Sequence, residues 1–276
     1  MSRIITLTSD FGSKDGYVAA MKGTILSIAP PSIRMVDISH EIAPQDVMEA
    51  AYVLRSSTPF FPDGTVHLAV IDPGVGTRRR PIAVRSGAQF YIGPDNGLIS
   101  LVLGTSGADE MVELSNSAFW RDPYPSATFH GRDIFAPAAA HIACGVSLTE
   151  LGRPLDRIQP LHWALPIADE QGVQGWVMHI DHFGNCITNI SADLLPEPSE
   201  KRGLKCYVGN AVLSGVHRTY ADVDSGDPVL LFDSGGQLEI AINGGNAAQL
   251  LGINKGSQVS LVFADERQEI LALGSR

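Results

Sequence analysis

Three short apolar segments near the start of the chain each run directly into a polar turn. The segments are residues 4–8, 33–38 and 66–71. Stretches with helical spacing of apolar residues separate them, and this alternation of strand and helix predicts a mostly parallel α/β sheet. Ligands of open α/β sheets bind in the crevice outside the carboxyl ends of the strands. We therefore expect Asp10, His40 and Asp72, which follow the three segments, near one edge of one sheet.

The pattern changes in the second half of the chain. Short β-type runs separated by turn residues occupy 175–180, 205–208, 228–232, 238–242 and 257–263. Strands at this spacing with few helices predict a small barrel or sandwich. The predicted fold class is therefore α/β, with an N-terminal mostly parallel α/β sandwich domain and a smaller C-terminal all-β barrel-like domain. The predicted bounds are 1–156 for the first domain, 157–172 for a linker and 173–276 for the second domain.

Composition and charge argue against several classes of protein. A formal net charge of −10 over 276 residues is unlike general nucleic-acid binding, which needs basic residues to neutralise phosphates. No apolar run is long enough to span a bilayer and no secretory leader is visible, so we expect a cytoplasmic protein without a membrane partner. The three cysteines have neither paired nor metal-type spacing, which predicts no disulfide framework and no zinc site.

The turn after the third apolar segment combines an acid with three cations. Asp72 is followed by a Pro/Gly turn and then by Arg78, Arg79 and Arg80. At a strand end, such a set lies where open α/β sheets bind their ligands. A simpler interpretation is that Asp72 caps the next element and the arginines solvate a loop.

A second polar turn precedes an alanine-rich helical pattern. It contains His130, Arg132 and Asp133, which could supply a general base, an anion contact and a helix N-cap. The alternative is that Asp133 caps the helix and His130 is an ordinary turn residue.

A third polar turn lies between two predicted strands of the second half. Asp181 could hold an ammonium group, while Phe183 and Asn185 could contact an adenine by stacking and edge hydrogen bonds. The alternative is an Asx-rich turn that only connects the strands.

Common nucleotide and metal patterns fit this sequence poorly. The P-loop pattern is absent, and no Gly-x-Gly-x-x-Gly follows the first strand. A divalent-metal hydrolase site could instead use five residues, although no two of them share a helical face. They are Asp10, His40, Asp72, Asp95 and His130.

Taken together, seven motifs resemble the S-adenosylmethionine (SAM) hydroxide adenosyltransferase family, the SAM hydrolases, which is related to bacterial fluorinase and chlorinase. The motifs are residues 9–12, 36–40, 60–66, 72–77, 93–97, 129–133 and 181–185, in the order of the family. The resemblance implies hydrolysis of SAM to adenosine and L-methionine by attack of water or hydroxide at C5′, with no metal and no cofactor. It also implies a homotrimer with SAM between the N-terminal domain of one subunit and the C-terminal domain of a neighbour.

The resemblance also implies roles for individual residues. Family members use an Asp-Arg-His catalytic set, which here would be Asp72, Arg79 and His130, with Arg78 and Arg80 close enough in register to leave the arginine open. The implied substrate-binding residues are Asp10 for the ribose diol, Asp181 for the ammonium, Ser234 for the carboxylate, and Phe183 with Asn185 for adenine.

The halogenating relatives differ from this chain at two places, of which the Asp72 stretch points to the hydrolase. Those relatives have a neutral halide loop in place of the Asp72 stretch, and a carboxylate there would repel chloride or fluoride. Gln45 stands where the fluorinase has a tryptophan. The sequence leaves two other functions open, a non-catalytic module that binds SAM or adenosine and a metal-dependent phosphohydrolase.

Overall fold

The computed structural model describes residues 4–162, 165–195 and 203–264 of the chain. The chain divides into two compact units, residues 1–163 and 164–276. This division falls inside the predicted linker, 157–172. Residues at the start of that segment are bonded to the first unit: the Gln159 N–H donates to Asp95 Oδ1 at 2.7 Å, and the Leu161 N–H donates to Ser100 Oγ at 2.9 Å.

The first unit contains a seven-stranded sheet of order β2-β1-β3-β5-β4-β6-β7. Its strands are β1 (Ile4–Ser9), β2 (Arg34–Ser39), β3 (Val66–Val70), β4 (Pro81–Ser86), β5 (Gln89–Pro94), β6 (Glu110–Glu113) and β7 (Arg153–Pro154). The first four strands in this order are parallel neighbours. The pairs of β4 with β5 and β6, and of β6 with β7, are antiparallel.

Helices cover both faces of this sheet. They are α1 (Tyr17–Ile28), α2 (Val47–Ser57), α3 (Leu98–Leu103), α4 (Ala136–Ala143) and α5 (Leu148–Leu151). On β3, Leu68 and Val70 belong to the core that α1 and α4 cover, whereas Ala69 belongs to the core that α2 and α3 cover. The strand is therefore buried on both faces, which explains why its sequence is apolar except at His67.

The second unit contains an antiparallel sheet of order β12-β11-β15-β9-β10-β14-β13, with β8 paired to β9. Its strands are β8 (Ile167–Ala168), β9 (Gly172–Ile180), β10 (Cys186–Ser191), β11 (Gly203–Val208), β12 (Ala211–Ser214), β13 (Pro228–Phe232), β14 (Gln237–Ile242) and β15 (Gln258–Ala264). The edge strands β12 and β13 contact each other, so the sheet nearly closes into a barrel. The predicted fold class is confirmed.

One short helix, α6 (Ala247–Leu251), accompanies the barrel-like sheet. The Asn246 side chain caps it by accepting from the Gln249 N–H, and Gly252 ends it in the left-handed conformation. Within the described ranges of both units, no helix is long and apolar enough to cross a membrane.

Candidate active site

The site begins where β3 ends. The Asp72 carboxylate accepts two hydrogen bonds from Arg79, one from Nε at 2.8 Å and a shorter one from Nη2. The two side chains are only 6% and 9% exposed. A bidentate pair shielded from water in this way fixes the relative position of the two groups more firmly than a single contact would.

Glycines allow the turn after β3 to fold back on itself. The Thr77 N–H and hydroxyl both donate to the Gly74 carbonyl. Gly76 has φ of +76°, and a Cβ there would lie 2.4 Å from the Ala127 carbonyl oxygen. Only glycine fits this position, because other residues would be strained and would clash with the backbone. The turn therefore lies against the segment that leads to His130.

His130 completes a cluster with Arg79 and Asp72. Its Nδ1 lies 2.7 Å from Arg79 Nη2. A guanidinium group has no acceptor, so Nδ1 must be the acceptor and the proton of a neutral ring must be on Nε2. The Phe135 ring lies 5.2 Å from Arg79 Cζ, a cation–π distance. We call these three residues the Asp72–Arg79–His130 cluster.

A π-helical turn positions His130. The turn spans Gly131–Phe135 and runs directly into α4. Such turns are rare and are found frequently at functional sites. A Cβ on Gly131 would lie 3.0 Å from Met21 Sδ, so a small residue is needed for the close approach of this turn to α1.

The surroundings of His130 keep its ring neutral. Burial lowers the pKa of the imidazole, and the positive charge of Arg79 lowers it further. The carboxylates of Asp72 and Asp133 act in the opposite direction but do not reverse the shift. The ring therefore stays uncharged to a lower pH than the ring of an ordinary histidine.

The three consecutive arginines have different surroundings. Arg78 is exposed, whereas Arg79 is bonded to Asp72. Arg80 donates from Nε to Asp95 Oδ2 at 2.8 Å and from Nη2 to the carbonyl of Arg157 at 3.1 Å. Of the three, Arg79 is thus the one that the structure brings to Asp72 and His130.

Asp10 follows β1, the strand next to β3, with Ser9 opposite Val70. Its Oδ2 accepts the Gln45 N–H at 2.7 Å. Gln45 has φ of +68°, and within the described ranges it is the only non-glycine residue with positive φ. Asp10 and the Asp72–Arg79–His130 cluster therefore lie at the carboxyl ends of adjacent parallel strands, where open α/β sheets bind ligands.

In the second unit, Asp181 forms an Asx-type turn, as in the alternative given for this segment in the sequence analysis. Its Oδ1 accepts the N–H groups of Phe183 at 2.9 Å and Asn185 at 2.8 Å, and its Oδ2 accepts Asn185 Nδ2 at 3.0 Å. Asn185 is 7% exposed, whereas Phe183 is 73% exposed. Ser234 is also exposed and lies in the turn between β13 and β14.

Two residues that the sequence analysis did not select, Tyr220 and Glu239, lie near Asp181 and Asp233. Glu239 on β14 is only 4% exposed and accepts a hydrogen bond from the Tyr220 hydroxyl at 2.8 Å. Burial raises the pKa of the Glu239 carboxyl, and the charges of Asp181 and Asp233 raise it further. The signal in the sequence is a single charged residue within the apolar stretch 238–242.

Of the five residues considered for a metal site, Asp72 and His130 share Arg79 as a partner, and the other three make contacts apart from this cluster. Asp95 pairs with Arg80, and His40 pairs with Ser9. Asp10, Asp72 and His130 make the contacts already described. In the part of the chain that the structure describes, no group of three or more His, Cys, Asp or Glu side chains could hold a metal ion.

Comparisons with known proteins identify the family. The N-terminal domain profile of the SAM hydroxide adenosyltransferases matches residues 5–152, and the C-terminal domain profile matches residues 175–260. An (R)-S-adenosyl-L-methionine hydrolase of Salinispora tropica is 41% identical over 92% of this chain and 96% of its own. One of Thermus thermophilus is 39% identical over 94% of this chain and 100% of its own.

More distant relatives and a solved structure extend the similarity. A fluorinase of Actinoplanes sp. is 33% identical over 95% of this chain and 98% of its own. The crystal structure of an uncharacterized conserved protein from Thermotoga maritima superposes with a TM-score of 0.86 at 37% identity, covering 94% of this chain and 99% of that chain. Because the family profiles and the hydrolase relatives extend over most of the sequence, the chain belongs to the SAM hydroxide adenosyltransferase family.

Proposed function

We propose that the chain is an enzyme that hydrolyses SAM to adenosine and L-methionine. The observation that carries this proposal is the contact of Arg79 with both Asp72 and His130 at the carboxyl end of β3. The hydrolase relatives, similar over most of the chain, support the same reaction. This cluster offers a water molecule an acceptor, a cation and an imidazole in one place.

The reaction needs activation of the nucleophile rather than of the leaving group. The sulfonium of SAM leaves as a neutral thioether when the C5′–S electron pair returns to sulfur. The new C5′–O bond is made by a water oxygen, which loses one proton and becomes the 5′-hydroxyl of adenosine. The protein must therefore hold the water in line behind C5′ and take up that proton.

The geometry gives different tasks to the three residues. The two oxygens of Asp72 each accept one hydrogen bond from Arg79 and keep further lone pairs, so Asp72 can accept the proton of the water. His130 has Nδ1 bonded to Arg79, which leaves its Nε2–H to orient the water oxygen. Arg79 fixes both groups and stabilises developing negative charge on the oxygen.

The same carboxylate favours water over halide. A chloride or fluoride at this position would meet the buried negative charge of Asp72, whereas a water molecule can donate a hydrogen bond to it. The similarity to fluorinases therefore extends to the fold and the SAM chemistry, and Asp72 directs the reaction to hydrolysis.

Substrate contacts are carried over from the family resemblance. We assign Asp10 to the ribose diol, Phe183 and Asn185 to adenine, Asp181 to the methionine ammonium and Ser234 to its carboxylate. Asp181 already accepts three hydrogen bonds from its own turn. An ammonium group would use its remaining lone pairs, and the negative charge of the turn would attract it.

These substrate residues fall into two groups. Asp10 belongs to unit 1, whereas Asp181, Phe183, Asn185 and Ser234 belong to unit 2. The family resemblance supports a homotrimer in which the two groups come from neighbouring subunits. A cytoplasmic location, expected from the sequence, is also part of the proposal.

An assay with purified protein tests the function. Because the relatives are named for the (R) sulfonium epimer, (R)- and (S)-SAM are supplied separately, with and without a chelator, and phosphate esters are tested in parallel. We expect adenosine and methionine in equal amounts, unaffected by the chelator. Binding of SAM without turnover would support the binding module instead, and chelator-sensitive cleavage of phosphate esters would support the phosphohydrolase.

A further inference from the structure

His40 is a partly buried polar residue beside the site, and the proposed reaction does not use it. Its ring Nδ1 lies 2.7 Å from the Ser9 hydroxyl oxygen, and its backbone carbonyl accepts the Gly12 N–H at 2.7 Å. The Ser9 hydroxyl oxygen in turn accepts the Phe11 N–H at 3.4 Å. His40 thus contacts the chain on both sides of Asp10.

A bulge in β2 places His40 opposite this loop. Along β1 and β2 the register pairs Leu7 with Asp37, but the next residue of β1, Thr8, pairs with Ser39. The extra residue, Ile38, advances β2 by one position relative to β1 at their carboxyl ends. Bulges next to active sites commonly redirect a side chain, and here the redirected side chain is that of His40.

The far side of the His40 ring is also held. Nε2 lies 3.1 Å from Asp37 Oδ1, and Lys22 Nζ lies 2.5 Å from Asp37 Oδ2. The contact of Nε2 is not aligned as a hydrogen bond, but the exposed Asp37 carboxylate can rotate into line. Burial raises the pKa of Asp37, but the hydrogen bond with Lys22 and the proximity of the His40 ring outweigh this, so its pKa lies below the usual value.

The ionised Asp37, with Oδ1 3.1 Å from Nε2, favours one tautomer of His40. A carboxylate only accepts, so it favours the ring proton on Nε2, and Nδ1 then accepts the hydroxyl proton of Ser9. The Ser9 oxygen then keeps its lone pairs for the Phe11 N–H. This order of donors and acceptors locks the backbone on both sides of Asp10 in one arrangement.

We infer that His40 is a positioning residue for Asp10, and that it sets the affinity of the enzyme for the ribose diol of its adenosyl ligands. The inference rests on the proposed function, which assigns the diol to Asp10. A carboxylate that accepts from two hydroxyl groups must be held in one orientation, and the Gln45 N–H holds only one of its oxygens. The loop that His40 clamps determines where the other oxygen points.

A comparison of two nucleosides tests this inference. Adenosine carries the diol, whereas 2′,3′-dideoxyadenosine lacks it, and both are bound to the wild type, His40→Ala and His40→Asn in calorimetry. We expect His40→Ala to weaken adenosine binding about tenfold or more, the size of one or two lost hydrogen bonds to a charged group. Binding of the dideoxy nucleoside should change less than about twofold, since Asp10 has nothing to contact there.

The asparagine variant distinguishes positioning from general stability. Its Oδ1 occupies the place of the histidine Nδ1 and can accept from the Ser9 hydroxyl, so His40→Asn should recover most of the adenosine affinity. Ser9→Ala is the second variant if His40→Ala does not fold, and it should show the same selective loss. Equal losses for both nucleosides, or identical behaviour of the alanine and asparagine variants, would overturn the inference.

The outcome is separable from the outcome of the function assay. A wild type that binds adenosine about as well as its dideoxy analogue would refute both the assignment of Asp10 to the diol and the role of His40, even if SAM is hydrolysed. A wild type that distinguishes the nucleosides but forms no adenosine from SAM would refute the function and leave the role of His40 standing.

Discussion

Arg79 connects the two groups that we assign to the attacking water. Its Nε and Nη2 donate to Asp72, and Nη2 also lies within hydrogen-bond distance of His130 Nδ1. Its Nη1 is buried and has no hydrogen-bond partner in the described part of the chain. A lysine would keep the positive charge but not the fork of donors, so it could not hold both partners at once.

Single substitutions in the cluster should therefore reduce turnover much more than binding. For Asp72→Ala, Arg79→Lys and His130→Ala we expect kcat to fall by about 10²–10⁴, because each change removes a group that acts on the nucleophile. Arg78→Lys is the matched control, since this exposed neighbour should leave kcat unchanged. Kinetic assays of SAM hydrolysis, including single-turnover experiments, measure these rates. Near-normal turnover of His130→Ala would show that the imidazole is not needed.

The pH dependence of turnover should reflect the lowered pKa of His130. As the pH falls through this pKa, protonation of Nδ1 breaks its bond with Arg79 and places two positive charges together. We expect kcat/KM to be flat near neutral pH and to decline only below 6.5, the usual pKa of histidine. A rate profile between pH 4 and 8 tests this, and an acid limb that starts above 6.5 would contradict it.

At this scale the sequence predicts residue types better than partners. Asp72 and His130 stand in motifs, but three arginines follow Asp72 and their spacing does not say which of them turns back. That choice depends on Gly74, where a Cβ would lie 3.1 Å from Arg79 Cγ, and on Asp95, which engages Arg80. Glu239 was missed because its carboxylate gains significance only when the strand is buried.

At the scale of elements, strands buried on both faces are the easiest to predict. Apart from His67, the stretch 66–71 is apolar because β3 contacts helices on both faces, and its strand extends over Val66–Val70. The antiparallel strands β4 and β6 were not predicted. β4 pairs with β5 across the short turn at Gly87 and Ala88, whereas the pairing of β6 with β4 depends on contacts more distant in sequence. The bulge in β2 and the π turn before α4 likewise have no sequence period that reveals them.

Two glycines should respond in opposite ways to the same substitution. Gly131 in the π turn has Met21, Phe129 and Val70 within 3.3 Å of a Cβ built on it, so Gly131→Ala should destabilise the fold by about 1–3 kcal/mol and displace His130. Gly23 in α1 is exposed and has open space around it, so Gly23→Ala should stabilise by roughly 0.5–1 kcal/mol. Thermal unfolding and SAM turnover of both variants test this, and a Gly131→Ala protein with unchanged turnover would contradict it.

Strand β3 also contains a histidine that should limit stability in acid. His67 is fully buried, and burial lowers the pKa of its ring to about 4, against the neighbouring Gln89 side chain, which raises it. The unfolded chain binds the proton near the usual 6.5, so stability is complete above that pH and is lost as the pH falls towards 4. The loss should be about 3 kcal/mol.

Urea unfolding at pH 7 and pH 4 measures this contribution. In His67→Gln the difference in unfolding free energy between pH 7 and pH 4 should shrink by most of that amount. His182→Gln, at an exposed position, should leave this difference unchanged. A His67→Gln protein with the acid sensitivity of the wild type would show that other groups govern it.

At the scale of the whole molecule, the proposed substrate residues fall into two sets on two compact units. Asp10 and the Asp72–Arg79–His130 cluster belong to unit 1, and Asp181 belongs to unit 2 together with the other adenine and methionine contacts. A monomer could in principle supply both sets from one chain. The homotrimer of our proposal instead predicts that each site takes its two sets from different subunits.

Mixing two inactive variants distinguishes these arrangements. Asp72→Ala removes the acceptor of the water proton, and Asp181→Asn removes a charge in unit 2 while keeping an oxygen for the Phe183 and Asn185 N–H groups. In randomly mixed cyclic trimers, about a quarter of the interfaces combine an intact Asp72 from one subunit with an intact Asp181 from its neighbour. We therefore expect the mixture to recover about a quarter of the wild-type turnover after subunit exchange, with each variant alone as the control. No recovery, despite exchange demonstrated by native mass spectrometry, would place the whole site within one chain.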